Sequence, residues 1–125
     1  MMTSLLTDDL GSTRNLFVDL LGFEIEYEAD WFISMRGQEG GRVAAMARTS
    51  EFIPEAFRHS ARGVVVTFVV DDVERYFRMA EQMGLDVVEP PTDLPYGQRR
   101  LLLHDASGAL VDISSPVAPL DPAYS

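Results

Sequence analysis

The sequence lacks several features that would point to common classes of function. It contains no cysteine in 125 residues, which excludes disulfide bonds, zinc–thiolate sites and thiol catalysis. No apolar run approaches the roughly 18 residues that span a bilayer. No basic segment followed by an apolar run marks a signal peptide. We therefore expect a cytoplasmic protein with no membrane partner.

Basic residues are scarce as well. Ten Lys and Arg stand against 20 Asp and Glu, which gives a formal net charge of −10. A surface that follows nucleic-acid phosphates needs clustered Lys and Arg, so we expect no nucleic-acid partner. The negative charge favours solubility first, and the attraction of a cationic small molecule second. An apolar content of 46% is typical of a globular protein.

What the chain does contain is a faint internal repeat. The segment SLLTDDLGSTRNLFVDLLGFEIEY near the start resembles VTFVVDDVERYFRMAEQMGLDVVE in the middle. Three pairs of residues match across the repeat: Asp9 with Asp72, Gly22 with Gly84, and Gly41 with Gly108. A repeat of this size indicates two stacked supersecondary units. We predict a single domain (1–125) with modules at 1–47 and 63–116, a linker at 48–62 and a loose tail at 117–125.

Each module shows a strand, a helix and further strands. Asp8 or Asp9 can cap the first helix, and Asp71 with Glu74 predicts a capping box for the second. Gly22 supplies the positive φ that often ends a helix.

Two strand patterns predict burial. Strict alternation in FEIEYE predicts that Phe23, Ile25 and Tyr27 face inward. The continuous apolar run VVVTFVV predicts a strand that is buried on both faces.

The order of these signals resembles the vicinal oxygen chelate superfamily, which includes glyoxalase I, extradiol dioxygenases and bleomycin-resistance binding proteins. D-D-L or D-D-V opens each helix, L-G-F or M-G-L closes it, and PYGQRR precedes DASGALVD. The resemblance implies an α+β fold. In it, two βαβββ modules form a cupped mixed β-sheet with helices on the outer face.

The resemblance also marks four positions where the superfamily's enzymes bind a divalent metal. They correspond to Met2, Ala45, Val65 and Asp112 in this sequence. Only Asp112 offers an oxygen, whereas catalytic zinc takes about three protein ligands. We therefore expect no metal and no other cofactor. The resemblance is to a metal-free, antibiotic-binding branch.

The strand QRRLLLHD carries the polar candidates. Because successive residues point to opposite faces of a strand, Gln98, Arg100 and Leu102 share one face, and Arg99 and Leu101 share the other. The pattern leaves open which arginine faces the cavity. An arginine there can pair with a ligand carboxylate or stack on an aromatic ring, or it can form a structural salt bridge instead.

Aromatic and methionine side chains complete the expected site. Trp31, as the counterpart of Gln98 in the repeat, would share a face with Ile33 and Met35, with Tyr27, Phe52 and Phe57 expected nearby. Such an aromatic group forms either a stacking platform or a core or dimer interface. The histidines, His59 and His104, are expected on the surface rather than at a metal. The predicted ligand-binding residues are Trp31, Met35, Phe52, Phe57, Tyr96, Gln98, Arg100, Leu102, His104 and Asp112.

Three functions fit these patterns. The first is a metal-independent, homodimeric protein that binds an aromatic or cationic small molecule, by resemblance an antibiotic such as bleomycin, mitomycin or an anthraquinone-type enediyne. The second is a metal-independent isomerase, lyase or cyclase. In that enzyme, Asp112 or His104 would be the base, and Arg99 or Arg100 would stabilise an oxyanion. The third is a structural or regulatory dimer without a small ligand.

Overall fold

The computed structural model describes residues 1–117, so the predicted tail lies outside the described residues except for Val117. The chain forms two compact units. Unit 1 contains Met1–Val64 together with the turn Asp105–Ala109, and unit 2 contains Val65–His104 and the described residues 110–117. No helix in residues 1–117 is long and apolar enough to cross a membrane.

Unit 1 contains one helix and a four-stranded sheet, which we call sheet 1. Its strands and helix are β1 (Thr3–Thr7), α1 (Leu10–Asn15), β2 (Glu24–Ala29), β3 (Phe32–Arg36) and β4 (Arg42–Ala47). The strand order is β1-β4-β3-β2, with β1 parallel to β4 and the other pairs antiparallel. Asp9 caps α1 by accepting a bond from the Ser12 N–H. A π-helical stretch, Leu16–Leu20, extends the helix.

Unit 2 repeats this plan with a second sheet, sheet 2. Its elements are β5 (Val65–Val69), α2 (Val73–Gln82), β6 (Asp86–Asp93), β7 (Gln98–His104) and β8 (Leu110–Pro116). The strand order is β5-β8-β7-β6, with β5 parallel to β8. Gly22 and Gly84 follow the helical segments at φ 74° and 69°, as the sequence predicts.

The predicted capping box at α2 is wrong. The cap is Asp72, whose backbone is extended and whose side chain accepts a bond from the Glu74 N–H. The Glu74 carboxylate accepts a bond from Arg99 on β7 instead of closing a box with Asp71. The helix therefore starts one residue later than the box requires.

Each sheet has a helix face, which lies against the helix of its unit, and an opposite face that we call the distal face. In unit 1 the Thr7 and Thr13 hydroxyls lie 2.8 Å apart and buried, so the Thr7 side of β1 is the helix face. In unit 2 the Arg99–Glu74 contact places the Arg99 side of β7 against α2. Leu101 and Leu103, on that same side, are fully buried.

Two predictions of strand burial are wrong. Ile25 pairs with Met35 but Tyr27 pairs with Ser34, so a bulge at Glu26 turns Tyr27 to the distal face and leaves it 59% exposed. VVVTFVV is not buried on both faces, because β5 is an edge strand that pairs only with β8. Its distal-face side chains Val65 and Val69 are 56% and 67% exposed.

Candidate functional site

The distal face of sheet 2 gathers half of the predicted ligand-binding residues. Alternation along β7 puts its even-numbered residues on this face, and β8 contributes the residue that pairs with Leu102. These side chains are Gln98, Arg100, Leu102, His104 and Asp112.

The structure separates the two arginines. Arg99 lies on the helix face, where its Nε donates to Glu74 at 2.5 Å and its Nη1 to Asp93 at 3.0 Å. These bonds, that to Glu74 first, raise the pKa of Arg99 above its ordinary value. Arg100 is therefore the arginine of the distal face. Arg99 cannot assist Asp112 there as the alternative enzymatic hypothesis allows.

Asp112 is held in place by two hydroxyl groups. Ser114 Oγ donates to its Oδ1 at 2.5 Å, and Thr67 Oγ1 donates to its Oδ2 at 3.2 Å. Thr67 lies beside Asp112 on the neighbouring parallel strand, so its bond follows from the sheet register. Ser114 lies two residues further along β8 on the same face, so its bond follows from the alternation of the strand. The carboxylate is thereby oriented and remains partly exposed.

On the distal face, Arg100 is hydrogen-bonded through one nitrogen, but one other polar atom of Arg100 and one of Gln98 lack a hydrogen-bond partner. Arg100 Nη2 donates to both Glu89 oxygens, at 3.2 and 3.4 Å. Gln98 Oε1 and Arg100 Nε are the buried side-chain atoms in residues 1–117 that have no hydrogen-bond partner. Such groups in native proteins normally bind a ligand or water. Further along β7, His104 Nδ1 lies 3.2 Å from Asp86 Oδ2.

Unit 1 carries a continuous cluster of four aromatic rings, which we call the aromatic strip. Trp31 lies just before β3, with its ring centroid 4.9 Å from Phe52 and 5.3 Å from Phe32. Phe32 continues to Tyr27 at 6.1 Å. These spacings fall in the range of attractive ring pairs. Phe52 and Tyr27 are 65% and 59% exposed, so the strip offers ring surface to a ligand.

The remaining predicted residues are Met35, Phe57 and Tyr96. Met35 is fully buried on the helix face of β3 with Ile33, so it is a core residue and lines no accessible surface. Phe57 is 72% exposed in the short 3-10 turn Glu55–Phe57, and within residues 1–117 no ring contact joins it to the aromatic strip. Tyr96 is half-buried in the turn between β6 and β7.

The sheet registers correct the internal alignment by one residue. Thr67, five residues before the Asp72 cap, pairs with Asp112, and Ser4, five residues before the Asp9 cap, pairs with Ala44. The counterpart of Asp112 is therefore Ala44, and not Ala45.

The positive-φ glycines agree with the corrected register. Gly40 (φ 95°) matches Gly108 (φ 91°), whereas Gly41 has no positive φ. The same shift makes Trp31 the counterpart of Arg99 rather than of Gln98.

The four positions that resemble the superfamily's metal ligands thus hold Met2, Ala44, Val65 and Asp112. Asp112 alone supplies an oxygen, so this donor set does not fit a zinc, magnesium or calcium ion. Among the described residues, no three His, Asp or Glu side chains converge in the manner of a metal site.

This chain belongs to the Glyoxalase/Bleomycin resistance protein/Dioxygenase superfamily, whose family model matches residues 2–113. That match confirms the superfamily, and no particular branch of it, as drawn from the repeat and its motifs. No curated protein matches the sequence.

Solved structures confirm the α+β fold. A glyoxalase/bleomycin resistance protein/dioxygenase family enzyme from Burkholderia phytofirmans PsJN is similar at a TM-score of 0.76 and 17% identity, covering 94% of this chain and 97% of that one. A lactoylglutathione lyase from Agrobacterium tumefaciens gives 0.71 and 21%, covering 92% and 91%. TioX from Micromonospora sp. ML1 gives 0.68 and 22%, covering 93% and 97%. At these identities the likeness shows the fold alone.

Proposed function

We propose that this protein binds a small aromatic molecule without a metal ion and holds it unchanged in a stoichiometric complex. In the cell, such trapping confers resistance to an aromatic antibiotic. The observation that carries the proposal is the aromatic strip, in which four rings are in contact and two of them, Phe52 and Tyr27, are more than half exposed.

A planar guest gains free energy on such a surface in two ways. Removal of its apolar area from water contributes about 25 cal/mol per Å². Each well-oriented ring pair adds about 0.5–1.5 kcal/mol beyond that area term. The rings of Trp31 and Phe52 already contact each other, so little side-chain freedom remains to be lost on binding.

The residues at the superfamily's metal positions support a function that needs no metal. A methionine, an alanine and a valine stand where nitrogen or oxygen ligands would be required, and a single carboxylate cannot replace them. Membership of a superfamily that includes bleomycin resistance proteins favours the trapping of an antibiotic.

Trp31 is the only tryptophan, so its fluorescence reports directly on the aromatic strip. Bleomycin, mitomycin and an anthraquinone are titrated into the protein in the presence of EDTA. We expect one of them to change Trp31 emission at one molecule per chain, and to be recovered with its mass unchanged.

Phe52→Ala and Phe57→Ala form a matched pair, because both side chains are exposed but only Phe52 belongs to the strip. Loss of one ring contact weakens binding by about 2- to 12-fold for Phe52→Ala. Phe57→Ala binds like the unaltered protein. Equal affinities for the two variants would contradict binding at the strip. A chemically altered product would favour the metal-independent enzyme instead.

A further inference from the structure

The aromatic strip presents ring faces that no cation of the described chain occupies. Tyr27 and Phe52 are 59% and 65% exposed. Within residues 1–117 no guanidinium lies over a ring of the strip, whereas Arg75 lies over the Tyr76 ring on α2. The face of an aromatic ring is negative and attracts a cation that lies within about 6 Å of the ring centre. The strip therefore offers several ring faces to a positive charge from outside the protein.

Two exposed carboxylates accompany the central pair of rings. Asp30 directly precedes Trp31, and Glu51 directly precedes Phe52. Because the Trp31 and Phe52 rings lie 4.9 Å apart, the two acidic residues belong to one small region of unit 1. Among the described residues, no Arg, His or N-terminal ammonium lies within ion-pair distance of either carboxylate. Their charges are available to a guest.

The positive charges near the strip do not balance the negative ones. Arg14 pairs with Glu28, beside Tyr27, at 3.6 Å. Arg58 donates its Nε to the Ile53 carbonyl at 2.7 Å. The segments that carry the rings, 27–32 and 51–58, contain Arg58 as their one basic residue and four acidic residues: Glu28, Asp30, Glu51 and Glu55. An excess of negative charge remains even when Arg14 is counted.

From this charge complementarity we infer that the guest of the aromatic strip is an organic cation, whose charge lies over the ring faces and is balanced by Asp30 and Glu51. A flat heteroaromatic cation suits both features, because it stacks on the rings and its charge is spread over the stacked surface. The net charge of −10 draws such a cation toward the protein. All residues of this site lie in unit 1. The inference rests on the proposed function, since it specifies the chemical class of the same guest.

Two probes of the same size and shape class test it. 1-Methylquinolinium is a permanent cation, and 4-methylquinoline is neutral at pH 8 and carries the same ring system and the same methyl group. Each is titrated calorimetrically into the protein at low salt. A cation on the face of a ring corresponds to about 2- to 30-fold in affinity, depending on how far it is desolvated. We expect the unaltered protein to prefer the cation by a factor in this range.

Substitutions that remove charge without removing a ring locate the preference. Asp30→Asn and Glu51→Gln are made singly and together, at exposed positions where the fold tolerates them. An exposed ion pair corresponds to about 1.4- to 5-fold in affinity, so the double variant lowers the preference by about twofold or more. Glu24→Gln is the matched control. Glu24 is exposed and pairs with Arg36, at the end of β2 opposite to Trp31, and its variant keeps the preference.

Each outcome decides a different point. Equal affinity of the unaltered protein for the two probes overturns the inference and leaves the aromatic proposal standing. A preference that is unchanged in the double variant also overturns it. The same is true of a preference that falls equally in Glu24→Gln, because the general charge of the protein then explains it. Binding of neither probe overturns the proposed function and this inference together. Should the double variant fail to fold, the two single variants decide in its place.

Discussion

The carboxylate of Asp105 ties the turn between β7 and β8 to helix α1, and its removal destabilises the protein substantially. Asp105 is 2% exposed. Its Oδ2 accepts bonds from the Thr13 hydroxyl and from the Ser107 N–H, both at 2.9 Å. Thr13 in turn lies 2.8 Å from the Thr7 hydroxyl, so the carboxylate ends a buried polar chain that begins on β1.

The magnitude follows from these two bonds. A hydrogen bond to a charged group contributes about 1.5–3 kcal/mol, and Asp105→Ala leaves two buried donors without that acceptor. We therefore expect a loss of about 3 kcal/mol in the free energy of unfolding. The entropy of unfolding is about 2.1 cal/mol/K per residue. For 125 residues, a loss of about 3 kcal/mol in the free energy of unfolding therefore lowers the Tm by about 11 °C.

Thermal unfolding followed by far-UV circular dichroism and by Trp31 fluorescence measures the effect. Asp105→Asn is the control, because its amide oxygen can occupy the place of Oδ2 and accept both bonds. We expect its Tm to fall by less than half as much as that of Asp105→Ala. A Tm of Asp105→Ala within about 3 °C of the unaltered protein would refute the reasoning.

Three further predictions concern the helix caps and the core. Bonds from the Ser12 N–H and hydroxyl hold the pKa of Asp9 below its ordinary value of 3.8. The Asp9 carboxylate therefore stabilises the fold fully above pH 3.8, and this stabilisation is lost as the pH falls through the lowered pKa. The difference in Tm between the unaltered protein and Asp9→Ala therefore shrinks below pH 3.8, and a constant difference down to pH 2 would contradict this. Asp72→Ala lowers the free energy of unfolding in urea by about 1 kcal/mol, whereas Asp71→Ala changes it little. Equal losses in the two variants would support the predicted capping box instead. Met35→Ala lowers the free energy of unfolding by about 2–5 kcal/mol in the same assay and leaves the affinity for an aromatic guest unchanged. A weakened affinity would show that Met35 contributes to the binding site.

Much of the fold could be predicted because local rules decide it. Gly22 and Gly84 end helical segments at positive φ, which few other residues adopt without strain. Alternation along β7 correctly groups Gln98, Arg100 and Leu102 on one face, since no bulge interrupts its pairing with β8. These features depend on neighbouring residues only, which the sequence displays directly.

The errors arise where pairing across strands decides the outcome. The adjacent glycines Gly40 and Gly41 in GQEGG are equivalent in the sequence, and only the geometry of the turn gives Gly40 the positive φ. Matching Gly41 with Gly108 therefore shifts the alignment of β4 by one residue. The bulge at Glu26 depends on how β2 meets β3, so alternation alone placed Tyr27 on the wrong face. Exposure of Val65 follows from its position on an edge strand, which an apolar run does not reveal.

The candidate site shows the same division. The sequence identified Arg100 and Arg99 as alternatives, and the helix decides between them, because Glu74 of α2 draws Arg99 to the helix face. The sequence predicts part of the aromatic strip, since it groups Trp31 with Tyr27 and Phe52. Phe32 joins the strip through the register of β3, and the bulge at Glu26 brings Tyr27 to the face on which Phe32 lies.

The central claim is that an aromatic guest is held without a metal ion. The most direct measurement is the Kd of such a guest, taken from Trp31 fluorescence, for protein purified without chelator and for the same protein dialysed against EDTA, with its metal content determined in parallel. We predict equal Kd values and less than one-tenth of a metal ion per chain. Near-stoichiometric zinc, nickel, iron or manganese, with binding that disappears in EDTA, would contradict the account.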